Sequence, residues 1–126
     1  MPRKPTPRPT DAELAILRVL WDHGPGTVRE VQSHLGDGVG YTTVLKMLQI
    51  MTEKELVGRD ETQRAHVYRA LVGEEQTQQH LLGDLVDRAF QGSTARLVMQ
   101  ALSTRRATPE ELAEIRRWIE RMTEES

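Results

Sequence analysis

The sequence predicts a mainly α-helical protein with a small β-hairpin, in which a winged helix-turn-helix domain precedes a region of three further helices. Apolar residues recur at helical spacing behind several capping boxes, and only five of the 126 residues are aromatic, so the core must be mostly aliphatic, which suits packed helices. A short stretch of β-forming residues follows the third helix. Three helices in close succession and then a hairpin is the element order of a winged helix.

Each of the first two helices begins with a capping box, a threonine followed three residues later by a glutamate. Thr10 precedes a helix that we predict from about Asp11 to about His23. Thr27 precedes a shorter helix, which ends at the glycine-rich segment GDGVG, residues 36–40. The short connections place these helices next to one another, as a helix-turn-helix requires.

The third helix begins with YTTVLKMLQ, residues 41–49, and is predicted to continue through TEKEL, residues 52–56. Its apolar residues at i, i+3, i+4 and i+7 are predicted to face the core: Val44, Met47, Leu48 and Met51. That spacing turns Thr42, Leu45, Lys46 and Gln49 outward. Their hydroxyl, ammonium and amide groups suit base edges and phosphates in the major groove, where this helix of the motif binds. Leu45 either contacts a thymine methyl group or is an isolated exposed apolar residue.

The segment after the third helix reads as a strand, a polar turn and a second strand, LVGRD, ETQR and AHVYRA. Arginines on such a wing commonly bind phosphate, although solvated surface charge is the alternative. His66 and Tyr68 share one face of the second strand, so either could instead pack on the third helix. Asp60 and Glu61 offset part of the basic charge.

Residues 1–9 form a proline-rich basic leader, expected to be an extended arm that is either simply solvated or in contact with phosphates. The candidate DNA contacts therefore come from three parts of the chain: the leader, the third helix and the wing. The residues predicted to bind DNA are Arg3, Lys4, Arg8, Tyr41, Thr42, Thr43, Lys46, Gln49, Arg59, Arg64 and Arg69.

Residues 10–72 are therefore assigned to a DNA-binding domain and residues 73–126 to a helical dimerisation domain. Three helices in about fifty residues make a thin core, because small domains bury a small share of their surface. A second copy would supply the missing burial; the alternative is that this half folds back on its own DNA-binding domain. The predicted dimerisation residues are Leu81, Leu85, Phe90, Leu97, Leu112, Ile115, Trp118, Ile119 and Met122.

The composition excludes several classes of function. The chain has no cysteine, which removes disulfides, thiolate catalysis and cysteine metal sites. Its four histidines lack ligand spacing and no catalytic motif is present, so we expect no metal, no cofactor and no enzymatic activity. No apolar stretch approaches the ~20 residues of a membrane span, and no signal peptide is visible; we therefore expect a cytoplasmic protein without direct membrane insertion. A net charge of -2 argues against indiscriminate binding to polyanions.

The segments TDAELAILRVLW, YTTV and RAHVYRALV together resemble the penicillinase and methicillin-resistance repressors of the BlaI/MecI family, over roughly Thr10 to Met122. The resemblance implies a homodimeric winged-helix repressor that binds inverted-repeat operators, typically before β-lactamase genes and the gene of a membrane-bound sensor. It also implies inactivation by cleavage that depends on the metalloprotease activity of the sensor.

The chain departs from the family pattern at two places. A gapless alignment puts the cleaved bond, an Asn-Phe bond in family members, at Gln100 and Ala101, and neither residue matches. Copper-responsive relatives carry a cysteine hook near the C-terminus, which this chain lacks. The resemblance therefore implies a repressor without that copper site.

Two functions of different classes follow from these patterns. The first is a dimeric repressor of palindromic operators. The alternative is a winged helix that grips another protein and has no DNA function, which the negative net charge favours and the outward Thr, Lys and Gln residues disfavour. Release from DNA by a small ligand is a third possibility, for which the sequence offers no candidate residue.

Overall fold

The computed structural model of the protein describes residues 8–125, which form six helices and one two-stranded antiparallel sheet. The predicted fold class, mainly helical with a small hairpin, is confirmed. Arg3 and Lys4 of the leader lie outside the described residues. In chain order the elements are α1 Asp11–His23, α2 Val28–Leu35, α3 Tyr41–Glu53, β1 Val57–Asp60, β2 Val67–Ala70, α4 Glu74–Ala89, α5 Thr94–Thr104 and α6 Pro109–Glu125.

The predicted capping boxes define the starts of α1 and α2. The Thr10 hydroxyl accepts the Glu13 N–H at 3.2 Å, and the Glu13 carboxylate accepts the Thr10 N–H at 2.8 Å. Thr27 and Glu30 form the same reciprocal pair at 3.2 and 3.0 Å. Each box satisfies two N–H groups that the first turn of a helix leaves without a partner.

The described residues divide into two compact units, 8–81 and 82–125. The first unit has a core in which α1, α2, α3 and the hairpin all take part. The largest fully buried side chains of this core are Tyr68, Ile16, Leu17, Leu48, Met51, Leu56, Val31, Val44 and Val57. The predicted domain limits at 9/10 and 72/73 remain predictions, since the division into units falls inside α4.

The hairpin is held against the loop that precedes α2. Gly26 and Tyr68 exchange two backbone hydrogen bonds, at 2.9 and 2.8 Å, so this loop adds one bridge to the edge of β2. Within the hairpin, Arg59 pairs with Tyr68 and Gly58 pairs with Arg69. The wing therefore has a fixed attachment to the body of the first unit.

The third helix ends earlier than the sequence predicted. Glu53 is its last residue, because Glu55 adopts a left-handed conformation with φ of 63°. The Leu56 N–H then bonds back to the Met51 carbonyl at 2.9 Å. Lys54 to Leu56 form the turn into β1 and do not extend the helix.

The second unit contains the end of α4 together with α5 and α6. Neither α5 nor α6 has a buried residue. Several large apolar side chains are exposed instead, among them Trp118, which is 52% exposed, and Met122, which is 62% exposed. Monomeric domains rarely leave apolar surface of this extent open to water.

Candidate nucleic-acid interface

A glycine-containing turn sets the position of α3 relative to α2. Gly36 ends α2 with φ of 95°, a conformation that favours glycine. The Gln32 side chain then spans the turn and donates to the Val39 carbonyl at 3.3 Å. Gly40 is the N-cap of α3 and supplies no side-chain cap, so the first N–H groups of α3 have no capping side chain.

The two faces of α3 differ completely in exposure. Val44, Leu48 and Met51 are fully buried in the core. The opposite face is exposed and mostly polar, with Ile50 as an exposed apolar residue on it. The first turn of α3 has no acidic residue that would repel a phosphate. The exposed residues on this face include all five that the sequence predicted to bind DNA from α3: Tyr41, Thr42, Thr43, Lys46 and Gln49.

One prediction about an apolar residue of α3 is wrong. Leu45 was expected to face outward, but it is half-buried and packs against the core cluster. Met47, predicted to face the core, also packs against this cluster and is half-buried. Leu45 lies at the side of the helix, next to α2 and the hairpin, so periodicity alone could not assign it to one face.

The three wing arginines differ in their surroundings. Arg59 forms an ion pair with Glu61, and hydrogen bonding with the Tyr68 side chain and then with Glu61 raises the pKa of its guanidinium. Arg64 and Arg69 are exposed. The charge of Arg59 is therefore partly neutralised within the wing.

The turn of the wing is held by Asp60. Its carboxylate accepts the Thr62 N–H at 2.9 Å and the Thr62 hydroxyl at 2.7 Å. Both hydrogen bonds hold the pKa of Asp60 below its ordinary value, and the bond from the Thr62 backbone N–H has the larger effect. His66 is exposed whereas Tyr68 is buried in the core, so of the two residues that alternate on this face only Tyr68 packs inward.

A cleft of about 280 Å³ separates the wing from the start of α2 and α3. Arg29, Tyr41, Arg64 and His66 line it with polar groups. The Arg29 guanidinium lies over the Tyr41 ring, 5.7 Å from the ring centre, a distance typical of cation–π contacts. The cleft thus brings together basic side chains from α2 and the wing beside the exposed face of α3.

Arg29 is a candidate contact that the sequence predictions missed. It stands in the first turn of α2, the helix that crosses the DNA backbone in a helix-turn-helix. The sequence offers one signal for this role, which is the position of Arg29 two residues after the Thr27 cap, at the start of α2. An isolated arginine on a surface helix is nevertheless too common to single out without its neighbours.

The residues predicted for other roles lie in α4, α5 and α6, except Phe90, which follows the end of α4. Of the predicted dimerisation residues, Leu81, Phe90, Leu97 and Ile115 are half-buried, and Leu85, Leu112, Trp118, Ile119 and Met122 are exposed. The predicted cleavage residues Gln100 and Ala101 are both exposed and lie inside α5. Within residues 8–125 no three metal-ligating side chains are grouped to hold an ion, and no helix there is long and apolar enough to cross a membrane.

Sequence comparison identifies related proteins. The family model described as penicillinase repressor matches residues 9–121. Two relatives named transcriptional regulator BlaI, from two strains of Mycobacterium tuberculosis, are each 34% identical over 82 residues, which is 63% of this chain and 59% of theirs. The chain thus spans about three fifths of the length of the curated relatives it matches. Both relatives are named as transcriptional regulators, and neither name is that of an enzyme.

Two of the solved structures that resemble this chain are described here. One is the monomeric form of BlaI from Bacillus licheniformis in complex with the blaP half-operator, with a TM-score of 0.49, 26% identity, and coverage of 59% of this chain and 93% of that chain. The other is a MarR family protein from Bacillus stearothermophilus, with a TM-score of 0.50, 18% identity, and coverage of 92% and 74%; it supports the fold alone. Because the family model matches residues 9–121, most of the chain, this chain belongs to the penicillinase repressor family.

Proposed function

We propose that the protein is a dimeric transcriptional repressor that binds palindromic operator DNA through α3 and the wing. The observation that carries the proposal is the two-sided character of α3. Val44, Leu48 and Met51 on one face are fully buried in the core, while Thr42, Lys46 and Gln49 on the other face are exposed. Membership of the penicillinase repressor family and similarity to a named transcriptional regulator support the same function.

The exposed residues of α3 have the chemistry to read base edges. Gln49 can bind adenine through two hydrogen bonds, and Lys46 can reach guanine or a phosphate. The hydroxyls of Thr42 and Thr43 can donate to bases or phosphates, and their methyl groups can contact thymine. In this proposal α3 therefore supplies most of the sequence preference.

Phosphate contacts come from the residues around α3. Arg29, Arg64 and Arg69 are exposed cations near or on the wing, and Tyr41 holds Arg29 by its ring. Arg59 contributes less because Glu61 already neutralises part of its charge. Arg3, Lys4 and Arg8 of the leader are proposed to add phosphate contacts without sequence preference.

A second copy of the chain is the proposed partner of the second unit. On α6, Leu112, Ile115, Ile119 and Met122 lie at helical spacing, and none of them is buried. An apolar helix face of this kind in a regulator that binds two half-sites fits a self-complementary interface. Two-fold symmetry of the dimer would then match the symmetry of a palindromic operator.

The regulated genes are proposed to be β-lactamase or related stress genes, with release from DNA by sensor-linked proteolysis. The candidate bond joins Gln100 and Ala101, which are exposed but helical. A protease binds an extended backbone, so cleavage requires local unfolding of α5. Mass spectrometry of the protein from induced cells tests this step directly, and an intact chain after induction would exclude proteolysis at this bond.

Genome-wide mapping of bound sites is the experiment that tests the repressor function. We expect enrichment of a palindrome whose half-sites are about one helical turn, or a multiple, apart. If the dimer contacts about 6 to 10 phosphates, its affinity should fall about 10³ to 10⁵ fold between about 50 and 200 mM salt. Mapping that finds no palindrome, together with a flat salt response, would favour a protein-binding winged helix instead.

A further inference from the structure

The cleft between the wing and the start of α2 and α3 brings a histidine next to two arginines. His66 and Arg64 line it from the wing, and Arg29 lines it from the first turn of α2. Among the described residues that line the cleft, none is an aspartate or a glutamate. Its other titratable groups are Tyr41 and Tyr68, and a phenol carries no charge near neutral pH. The cleft therefore combines two fixed positive charges with one imidazole.

Backbone hydrogen bonds fix the position of His66 relative to α2. Tyr68, two residues after His66, exchanges two hydrogen bonds with Gly26, at 2.9 and 2.8 Å. Gly26 immediately precedes Thr27, the cap of α2, and the Tyr68 side chain is buried in the core. The segment that carries His66 is thus attached next to the helical turn that carries Arg29, so both residues line the cleft from well-supported positions.

The carboxylates nearest to these residues in the sequence have partners of their own. Glu30 of α2 accepts a backbone N–H in the capping box of that helix, at 3.0 Å. In the wing, Asp60 accepts a backbone N–H of the turn at 2.9 Å, and Glu61 pairs with Arg59. The positive charge of the cleft is therefore available to an anion from outside the chain.

An imidazole differs from the two guanidinium groups because its charge changes near neutral pH. Arginine is always charged, whereas a histidine side chain has an ordinary pKa of about 6.5. A protonated imidazole donates from both ring nitrogens, and hydrogen bonds between charged groups are stronger than neutral ones. A phosphate in the cleft therefore favours the protonated form of His66, and protonation of His66 in turn strengthens phosphate binding.

We propose that the cleft binds one phosphate of the DNA backbone and that His66 makes this contact depend on pH. The inference rests on the proposed function as a DNA-binding repressor. Arg29 and Arg64 hold the phosphate at every pH, and His66 adds a third positive charge as the pH falls from about 8 to about 5.5. Affinity for DNA therefore rises on acidification, with uptake of up to one proton by each bound copy. Phosphate contacts carry no sequence information, so the effect is the same for any duplex.

A second group of histidines provides the matched control. The rings of His23 and His34 stack with their centres 3.7 Å apart and their planes 12° apart. Both residues line a different cavity, at the ends of α1 and α2. Two rings this close repel each other when both are protonated, so this pair also responds to pH. His34→Gln breaks the pair and leaves the cleft unchanged.

The test measures dissociation constants for a half-site duplex and for an unrelated duplex, at about pH 8 and about pH 5.5 and constant ionic strength. Two substitutions of His66 have opposite expected results. His66→Gln keeps a donor without a charge, and His66→Arg is charged at both pH values. Both pH values lie above 4.5, the ordinary pKa of Glu13 and Glu30, so the capping carboxylates stay ionised. Urea unfolding verifies that each variant is folded.

We expect the affinity of the wild type and of His34→Gln to rise about three- to tenfold on acidification, the size of one charge-assisted contact exposed to solvent. His66→Gln should bind both duplexes as weakly at the lower pH as at the higher one. His66→Arg should bind them tightly at both, and each His66 variant should change by less than about twofold between the two pH values. The factor should be the same for the half-site and the unrelated duplex.

An equal pH response in the wild type and in both His66 variants would overturn the proposal. A response that is lost in His34→Gln and kept in the His66 variants would also overturn it, because the titrating groups would then be the stacked pair. A wild type that binds DNA equally well at both pH values contradicts the role of His66 and leaves the repressor function intact. If the wild type binds no duplex at either pH, the repressor function itself fails, and the proposal for the cleft fails with it.

Discussion

At the scale of single residues, Glu13 makes the most protected ionic contact of those described. It is 4% exposed, and its two carboxylate oxygens accept the Lys54 ammonium at 2.9 and 3.0 Å. Burial alone would raise the pKa of Glu13, but hydrogen bonds from Thr10 and the charge of Lys54 outweigh it and lower the pKa below the ordinary value of 4.5. The pair joins the start of α1 to the end of α3.

We predict that Glu13→Gln lowers the free energy of unfolding at pH 7 by about 1–3 kcal/mol, because Lys54 loses a charged acceptor in a mostly buried place. The pKa of the Glu13 carboxyl is lower in the folded protein than in the unfolded chain. Its ionised form therefore stabilises the fold at pH values above the unfolded pKa, and this stabilisation is lost as the pH falls through the folded pKa. Urea unfolding between pH 7 and pH 3 checks both points. Glu53→Gln, on the exposed side of α3, is the control and should follow the wild type. If Glu13→Gln lost as much stability on acidification as the wild type does, the assignment of the lowered pKa to Glu13 would be contradicted.

Arg29 allows a second prediction at the residue scale. If its guanidinium binds a phosphate, Arg29→Ala should weaken binding to a half-site by a similar factor whatever the DNA sequence. The slope of log affinity against log salt concentration should also become less steep by about one. Arg18→Gln loses the same charge at a site away from the cleft, so its half-site affinity should not change. Titrations at several salt concentrations provide the measurement, and an unchanged slope for Arg29→Ala would remove Arg29 from the interface.

At the scale of secondary-structure elements, the end of α3 is constrained by a residue in an unfavourable conformation. Glu55 has φ of 63°, where a side chain costs free energy that glycine avoids. We predict that Glu55→Gly raises the free energy of unfolding by about 0.5–1 kcal/mol. Gln49→Gly, at an exposed position inside the helix, should lower it by about 1 kcal/mol. Thermal or urea unfolding of the two variants should give opposite signs, and the same sign for both would contradict the left-handed turn.

At the scale of the whole molecule, the exposed apolar face of α6 leads to a prediction about assembly. Ile119 is 55% exposed, and a charge there should be tolerated by an isolated chain but not by an apolar interface between copies. We predict that Ile119→Asp reduces the mass in solution from twice 14.4 kDa to 14.4 kDa. Sedimentation or light scattering measures the mass, and Glu120→Gln on the same helix is the control.

The same variant separates dimerisation from DNA contact. Binding of Ile119→Asp to a single half-site should match the wild type, because the first unit keeps its own core. Affinity for the full operator should fall, since each copy then binds its half-site independently. A monomeric wild type, or a variant that stays dimeric, would move the interface away from α6.

The sequence by itself determined the elements and the faces of α3. Capping boxes at Thr10 and Thr27 and the apolar spacing of Val44, Leu48 and Met51 are local signals, because they depend on residues three or four positions apart. The order of helices and hairpin followed from them. Only the end of α3 was placed too late, since the left-handed conformation of Glu55 has no clear signal in a residue that is not glycine.

Only the tertiary structure decided which side chains meet. The pairing of Glu13 with Lys54, the stacking of Arg29 on Tyr41 and the hydrogen bond from the Trp21 indole to the Val72 carbonyl all join distant parts of the chain. The half-burial of Leu45 has the same origin, because the wing and α2 approach the side of α3. Such contacts depend on how the helices and the hairpin pack in three dimensions. Helical periodicity predicts only which side of a helix is buried and which is exposed, and does not say which residues that side meets.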